Sequence, residues 1–142
     1  MPLMGRRDAY IEHLTQVPLF SACSRDELRK LSRRTTDIPI AEGHTLVKEG
    51  DRGLEFFVIV SGRAKVSRRG RKVGELGPGD FFGELALLID TERNATVAAL
   101  TPMEAIVLSR REFDAALADA PCMTRRIMAG MARRLAEFDS KL

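Results

Sequence analysis

FFVIVSGRAKVSRRGRKVGELGPGDFFGELALL, residues 56–88, is the stretch on which the fold turns. Within it, Phe56 to Val60, Ala64 to Val66 and Val73 to Leu76 are short runs rich in β-branched and aromatic residues, separated by glycines. Nine of the eleven glycines lie between Gly43 and Gly83, which leaves only Gly5 and Gly130 for the flanks, so the centre of the chain is built of turns. Short strands with turn signals every few residues predict an antiparallel roll or barrel. Thr96 to Leu100 and Ala105 to Leu108 add two strands downstream. Alternation of Ala64 and Val66 with Arg63, Lys65 and Ser67 predicts one dry face and one wet face for that strand. The basic cluster Arg68, Arg69, Arg71 and Lys72 surrounds Gly70 and reads as a solvated hairpin tip, with no aromatic residue inside it for base stacking.

The flanks read as helices. Ser24 to Glu27 and Ser109 to Glu112 each spell a capping box, with Cys23 and Leu28, then Leu108 and Phe113, at the hydrophobic-staple positions. An earlier helix over Arg7 to Gln16 puts Tyr10, Leu14 and Val17 on one face and stops before Pro18. The last helix starts near Pro121 and runs towards Phe138, with Met123, Ile127, Met131, Leu135 and Phe138 as its apolar stripe. At about 1.5 Å per residue it spans roughly 25–30 Å, more than one small contact needs. Its stripe therefore packs on the roll and is also available to cover a bound base or to pair with a twin in a homodimer. Gly130 inside it, at a cost of about 1 kcal/mol against alanine, suggests a bend or a close approach. Arg125, Arg126, Arg133 and Arg134 keep its outer face soluble.

Composition limits the function classes. With 142 residues, 44% hydrophobic and 30% charged, the chain fits one folded domain and excludes a disordered tail or a fibre. No apolar run of about 18 residues is present, and Met1 to Asp8 carries no secretory signal, so a soluble cytoplasmic protein with no membrane contact is expected. A net charge of +3 from 23 basic and 20 acidic residues makes nucleic acid a poor partner and leaves an anionic small ligand open. Two cysteines, Cys23 and Cys122, build no disulfide framework, and Cys23 already has its staple role. Neither cysteine shows metal-ligand spacing with His13 or His44, and no Gly-x-Ser-x-Gly elbow surrounds Ser21, Ser61 or Ser67. The expectation is a protein without catalysis, metal or cofactor. Eighteen arginines against five lysines suggest a GC-rich bacterial genome.

LGPGDFFGELALL, Leu76 to Leu88, followed by RNATV, Arg93 to Val97, carries the chemistry. Pro78 and Gly79 make a turn, and Gly83 precedes Glu84-Leu85-Ala86-Leu87-Leu88, good helix formers for about one helical turn. The N–H groups of so short a helix, beside a glycine, form a receptor for an anion such as phosphate. Arg93, on the following strand, can return to the same place with a planar fork of donors. Glu84 should repel a phosphate, yet it makes sense if the ligand also presents a sugar hydroxyl, to which a carboxylate contributes roughly 1.5–3 kcal/mol. Phosphate plus sugar hydroxyl means a nucleotide. A single arginine and no Gly-x-x-x-x-Gly-Lys loop argue against a triphosphate. Taken singly, Arg93 and Glu84 are ordinary surface residues; at this spacing inside a roll they read as a site.

This segment resembles the phosphate-binding cassette of cyclic nucleotide-binding domains, the family of the catabolite activator protein and the regulatory subunits of protein kinase A. The resemblance covers nearly the whole chain: the cassette at about 79–97, LVKEGD from Leu46 to Asp51, FVIVSG from Phe57 to Gly62, and helices on both sides. It implies an α+β fold in a single domain 1–142. An antiparallel β-roll, jelly-roll-like, over 35–108 lies between N-terminal helices in 1–34 and C-terminal helices in 109–142. It further implies that Glu84 binds the ribose 2′-hydroxyl and Arg93 the cyclic phosphate. The backbone around Gly83, Leu85, Ala86, Asn94 and Ala95 takes the remaining oxygens. Glu92 stands where many members have proline, and Asn94 where they have a small or hydroxyl residue. A threonine at the latter place accompanies cyclic GMP preference, so cyclic AMP is expected ahead of cyclic GMP. The implied role is a ligand sensor whose C-terminal helices move, either free-standing with a separate effector protein or as part of a larger regulator or channel. A ligand-free interaction module of the same fold is the third reading.

Overall fold

The computed structural model describes residues 6–89 and 91–140, with side-chain surroundings for 9–84, 87–89 and 91–136. The chain forms two compact units, one of strands over Arg34–Asp114 and one of helices from Met1–Arg33 and Ala115–Leu142.

The strand unit holds β1 (Asp37–Ile40), β2 (Thr45–Val47), β3 (Glu55–Ser61), β4 (Ala64–Arg68), β5 (Arg71–Leu76), β6 (Phe81–Phe82), β7 (Thr96–Ala99) and β8 (Met103–Ser109). They make two four-stranded antiparallel sheets, ordered β1-β8-β3-β6 and β2-β7-β4-β5. This is the expected roll. Phe57, Ile59 and Phe82 from the first sheet and Ala64, Val97 and Ala99 from the second belong to one core cluster. Phe57 stacks on Phe82 at 4.7 Å between centroids. β3 reads as a continuous apolar run because both its faces are buried. Its alternate residue Phe56 packs at 4.7 Å on Phe113 of α4 (Arg110–Asp119).

Turns close where glycine permits. Gly77 to Asp80 is a type II turn: Gly79 has φ +90° at the position that needs it, and the Asp80 N–H donates to the Gly77 carbonyl at 3.0 Å. The Gly77 N–H donates in return to the Asp80 carboxylate at 2.7 Å. Gly79 N–H and Asp80 carbonyl then pair with Ile59 on β3, which seats the turn on the sheet. At the basic hairpin, Arg69 and Gly70 both have positive φ, 52° and 76°, the type I′ geometry that matches the twist of the flanking strands.

In the helical unit, α1 (Arg6–Thr15), a 3-10 turn (Pro18–Phe20), α2 (Arg25–Ser32) and α5 (Pro121–Ser140) are joined by the C-terminal residues of α4. The Ser24–Glu27 capping box forms in both directions, with bonds of 3.1 and 2.9 Å. Among the described residues, no helix is long and apolar enough to cross a membrane.

Several expectations need correction. Cys23 is not only a staple residue: it is disulfide-bonded to Cys122, with 5.2 Å between the Cα atoms and a separation of 99 residues. Two cysteines so far apart give no local signal of meeting. The stripe of α5 is buried only in its first half, at Met123 and Ile127; Leu135 is 62% exposed, and the expectation for the Phe138 side chain lies outside the described residues. Ile11 is fully buried and joins Leu14 on the inner face of α1, with Val17 buried just beyond the end of that helix, whereas Tyr10 is only half-buried. On β4 the contrast between faces is weaker than alternation implies, because Lys65 and Ser67 are half-buried beside Val66. β1, β2 and β6, of four, three and two residues, are too short to show a strand pattern in the sequence.

Candidate functional site

β6 ends at Phe82, and Gly83, at φ +99°, turns the chain into α3 (Glu84–Leu88). Five residues make barely more than one turn, so the first N–H groups of α3 have no carbonyl within the helix to pair with. Glu84, at its start, is 2% exposed. Leu85 and Ala86 belong to α3, and their side chains lie outside the described residues; Leu87 is half-buried.

Arg93 is not on a strand, contrary to expectation. It lies in the segment before β7, next to an isolated bridge between Arg52 and Glu92, because its backbone pairs with a loop: its N–H donates to the Asp51 carbonyl at 2.8 Å, and its carbonyl accepts from Gly50 N–H at 2.9 Å. Neighbouring side chains still alternate. Glu92 and Asn94 are exposed, while Arg93 is 6% exposed and Ala95 is buried. The Arg93 guanidinium donates from Nη1 to the Gly83 carbonyl at 3.0 Å and from Nη2 to the Glu55 carbonyl at 2.6 Å. Its Nε is buried and has no hydrogen-bond partner among the described residues. Burial pulls this guanidinium down from its usual value, and the carboxylates of Glu55 and Glu84 push it back up.

Two glycines make room for that side chain. A Cβ on Gly83 would stand 2.6 Å from the Glu55 carbonyl and 2.8 Å from Arg93 Nη1, and one on Gly53 would overlap Arg93 Nε and Cζ. A cavity of about 340 Å3 opens beside the arginine, lined by β2, by Lys48, by residues 51–54 and by Glu55 at the start of β3. Among the described residues, Arg93 is its only lining residue from the cassette; Gly83 and Glu84 are not part of its wall.

Of the expected site residues, Gly83, Glu84 and Arg93 are brought together, Ala95 is buried, and Asn94 is displayed to solvent. Gly53 and Glu55 were not anticipated. The spacing of Gly50 and Gly53 in GDRG was the available signal for the first; the second acts through its backbone carbonyl, which side-chain identity does not reveal. Among the described residues, no group of three or more histidine, cysteine or acidic side chains is placed to hold a metal ion.

A double antiparallel roll with a one-turn helix and a buried arginine defines a class of β-roll modules. Residues 38–120 match the family described as cyclic nucleotide-binding domain. The chain belongs to that family. It is 39% identical over 117 residues to a cAMP-dependent protein kinase regulatory subunit from Mycosarcoma maydis, covering 76% of this chain and 22% of that protein. The chain thus spans about a fifth of that relative's length. Among solved structures, the regulatory subunit of a cAMP-independent protein kinase A from Trypanosoma brucei is similar with a TM-score of 0.79 and 27% identity, covering 96% of this chain and 50% of that one. A cAMP-binding acyltransferase from Mycobacterium smegmatis is similar with a TM-score of 0.78 and 31% identity, covering 93% of this chain and 42% of that one. The fungal origin of the kinase subunit gives no support to a bacterial source for this chain.

Proposed function

We propose that this chain is a cyclic nucleotide sensor without catalytic activity of its own, with cyclic AMP preferred over cyclic GMP. The observation that carries this is the pairing of a buried guanidinium, with Nε still available, and a buried carboxylate at the start of the helix after Gly83. Arg93 supplies donors to the cyclic phosphate, and the backbone at Gly83, Leu85, Ala86, Asn94 and Ala95 supplies the remaining contacts. Glu84 accepts from the ribose 2′-hydroxyl. Two of the three similar proteins, the cAMP-dependent kinase subunit and the cAMP-binding acyltransferase, favour the same ligand by name, while the kinase subunit from Trypanosoma brucei is named cAMP-independent. The acyltransferase extends well beyond the matched region, so its enzyme activity is not carried over to this chain.

The output is a shift of the C-terminal helices towards an effector protein. A route for it exists within the strand unit. Glu55, whose carbonyl holds Arg93 Nη2, is the register partner of Ser109, and Ser109 caps α4. A phosphate that draws the guanidinium away from Glu55 therefore acts on the residue opposite the α4 cap. To move such an equilibrium from about 1:99 to 99:1, the ligand must prefer one state by roughly 5.5 kcal/mol. A desolvated arginine–phosphate contact with a ribose hydrogen bond is of that order. Met128 and Leu135, 63% and 62% exposed, support a homodimer through α5. The proposed setting is the cytoplasm, with no nucleic acid or membrane as partner. Open-reading-frame length distinguishes a free-standing sensor from the sensor portion of a larger regulator.

The test is calorimetric titration with cyclic AMP and cyclic GMP, repeated on Arg93→Ala. Saturable binding that falls at least about tenfold in the variant, with an unchanged circular dichroism spectrum, is the expected result. No binding of either nucleotide leaves the ligand-free module, a reading favoured by the two carbonyls that already occupy Arg93.

A further inference from the structure

We propose that Cys23 and Cys122 form a reversible thiol–disulfide site, and that its redox state sets how freely α5 moves against α2 and hence how tightly the sensor holds its ligand. The second half of this rests on the function proposed above, and the first on the cytoplasmic setting proposed with it.

The bond joins two helix beginnings. Cys23 immediately precedes Ser24, the cap of α2, and Cys122 is the second residue of α5. Glu27 bridges the same two beginnings without a covalent bond: its Oε1 accepts from Ser24 N–H at 2.9 Å, and its Oε2 accepts from Cys122 N–H at 3.5 Å. Both cysteines are half-buried, between the exposed residues Ala22 and Ser24 and next to the exposed Pro121, so an external thiol can reach them. Leu28, Leu31, Met123 and Ile127 are buried in the same unit, so it keeps an apolar core when the sulfurs separate. The chain between the two sulfurs includes every strand of the roll. The bond therefore ties together the helices on either side of the sensor in sequence, and α5 is the helix whose movement carries the signal. In a cytoplasmic protein a lone disulfide of this kind is more often a sensor than a strut, because cellular thiols keep cysteines reduced until oxidant accumulates.

The chemistry balances with a dithiol as reductant. A thiolate of the dithiol attacks one sulfur of the pair to give a mixed disulfide, and its second thiolate resolves that intermediate. Two electrons and two protons pass to Cys23 and Cys122, and the reductant leaves as its own disulfide.

Three measurements on the full chain test the proposal. In glutathione redox buffers, with free thiols trapped by maleimide and counted by mass, the folded protein should pass from two tags to none in one two-electron step. Amide exchange over residues 121–136, without nucleotide, should be about fivefold or more faster in the reduced form, and Cys122→Ser and Cys23→Ser should each match that form. Cyclic AMP affinity should differ between the two forms by a similar factor. A bond that excess dithiothreitol opens only as the protein unfolds, or one that never forms on oxidation, overturns the proposal, as does equal exchange in both forms. Different exchange with no nucleotide bound in either form keeps the redox site and removes the sensor reading instead. Equal affinity with different exchange removes the link between the bond and the ligand.

Discussion

Arg93 meets its two acceptors across 10 residues, at the Gly83 carbonyl, and across 38, at the Glu55 carbonyl. Its direction is therefore a property of two glycines as much as of the arginine. Gly53→Ala should displace the guanidinium and lower cyclic AMP affinity by about tenfold or more, because the new methyl and Arg93 Nε cannot occupy the same space. Gly74→Ala, whose Cβ meets nothing within 4 Å, should leave affinity unchanged. Calorimetry on the pair checks this, and equal losses in both variants would sink the cradle argument. Glu84, Gly83 and Arg93 were legible as a candidate site because a short helix former run after glycine, with an arginine ten residues on, has few other uses. Gly53 and Glu55 were not, since a close approach between distant segments leaves no mark on the local pattern.

At the scale of elements, α2 and α4 start where serine and glutamate stand three residues apart, a purely local device, and both boxes form. Ser109→Ala should cost about 1 kcal/mol in urea denaturation, and a cost near zero would show that α4 is held by its packing alone. Glu27 has a wider task. Chiefly the Ser24 N–H, with help from Ser24 Oγ, Cys122 N–H and Lys30, holds its carboxyl below the ordinary 4.5. A carboxyl depressed by folding stabilises fully above the unfolded value, and that contribution is lost as pH falls through the lower folded value. Amide protection in α2 should therefore decline in acid below about pH 4.5, and Glu27→Gln should abolish that particular dependence. A decline of the same size in the variant would assign the effect to other groups. β6, with two residues, and β1 and β2 show the opposite case: their pairing is supplied by β3, β8 and β7 rather than by any pattern of their own.

At the scale of the whole molecule, the core cluster between the sheets draws its buried residues from six strands, so a single truncation there is felt throughout the roll. Phe57→Ala removes a stacked ring and should destabilise by about 3–5 kcal/mol in urea denaturation, with the cassette loosened because Phe82, its partner, leads directly into Gly83 and α3. The alternation of apolar runs with glycine, the two capping boxes and the cassette spacing could be read from residue order alone, because turns, caps and short helices are decided by neighbours a few positions apart. Sheet order, the buried state of Arg93 and Glu84, the room left by Gly53 and the union of Cys23 with Cys122 were settled only by the folded chain. Those depend on which distant surfaces are brought together to bury apolar area, and that choice is made by the packing of all the elements at once.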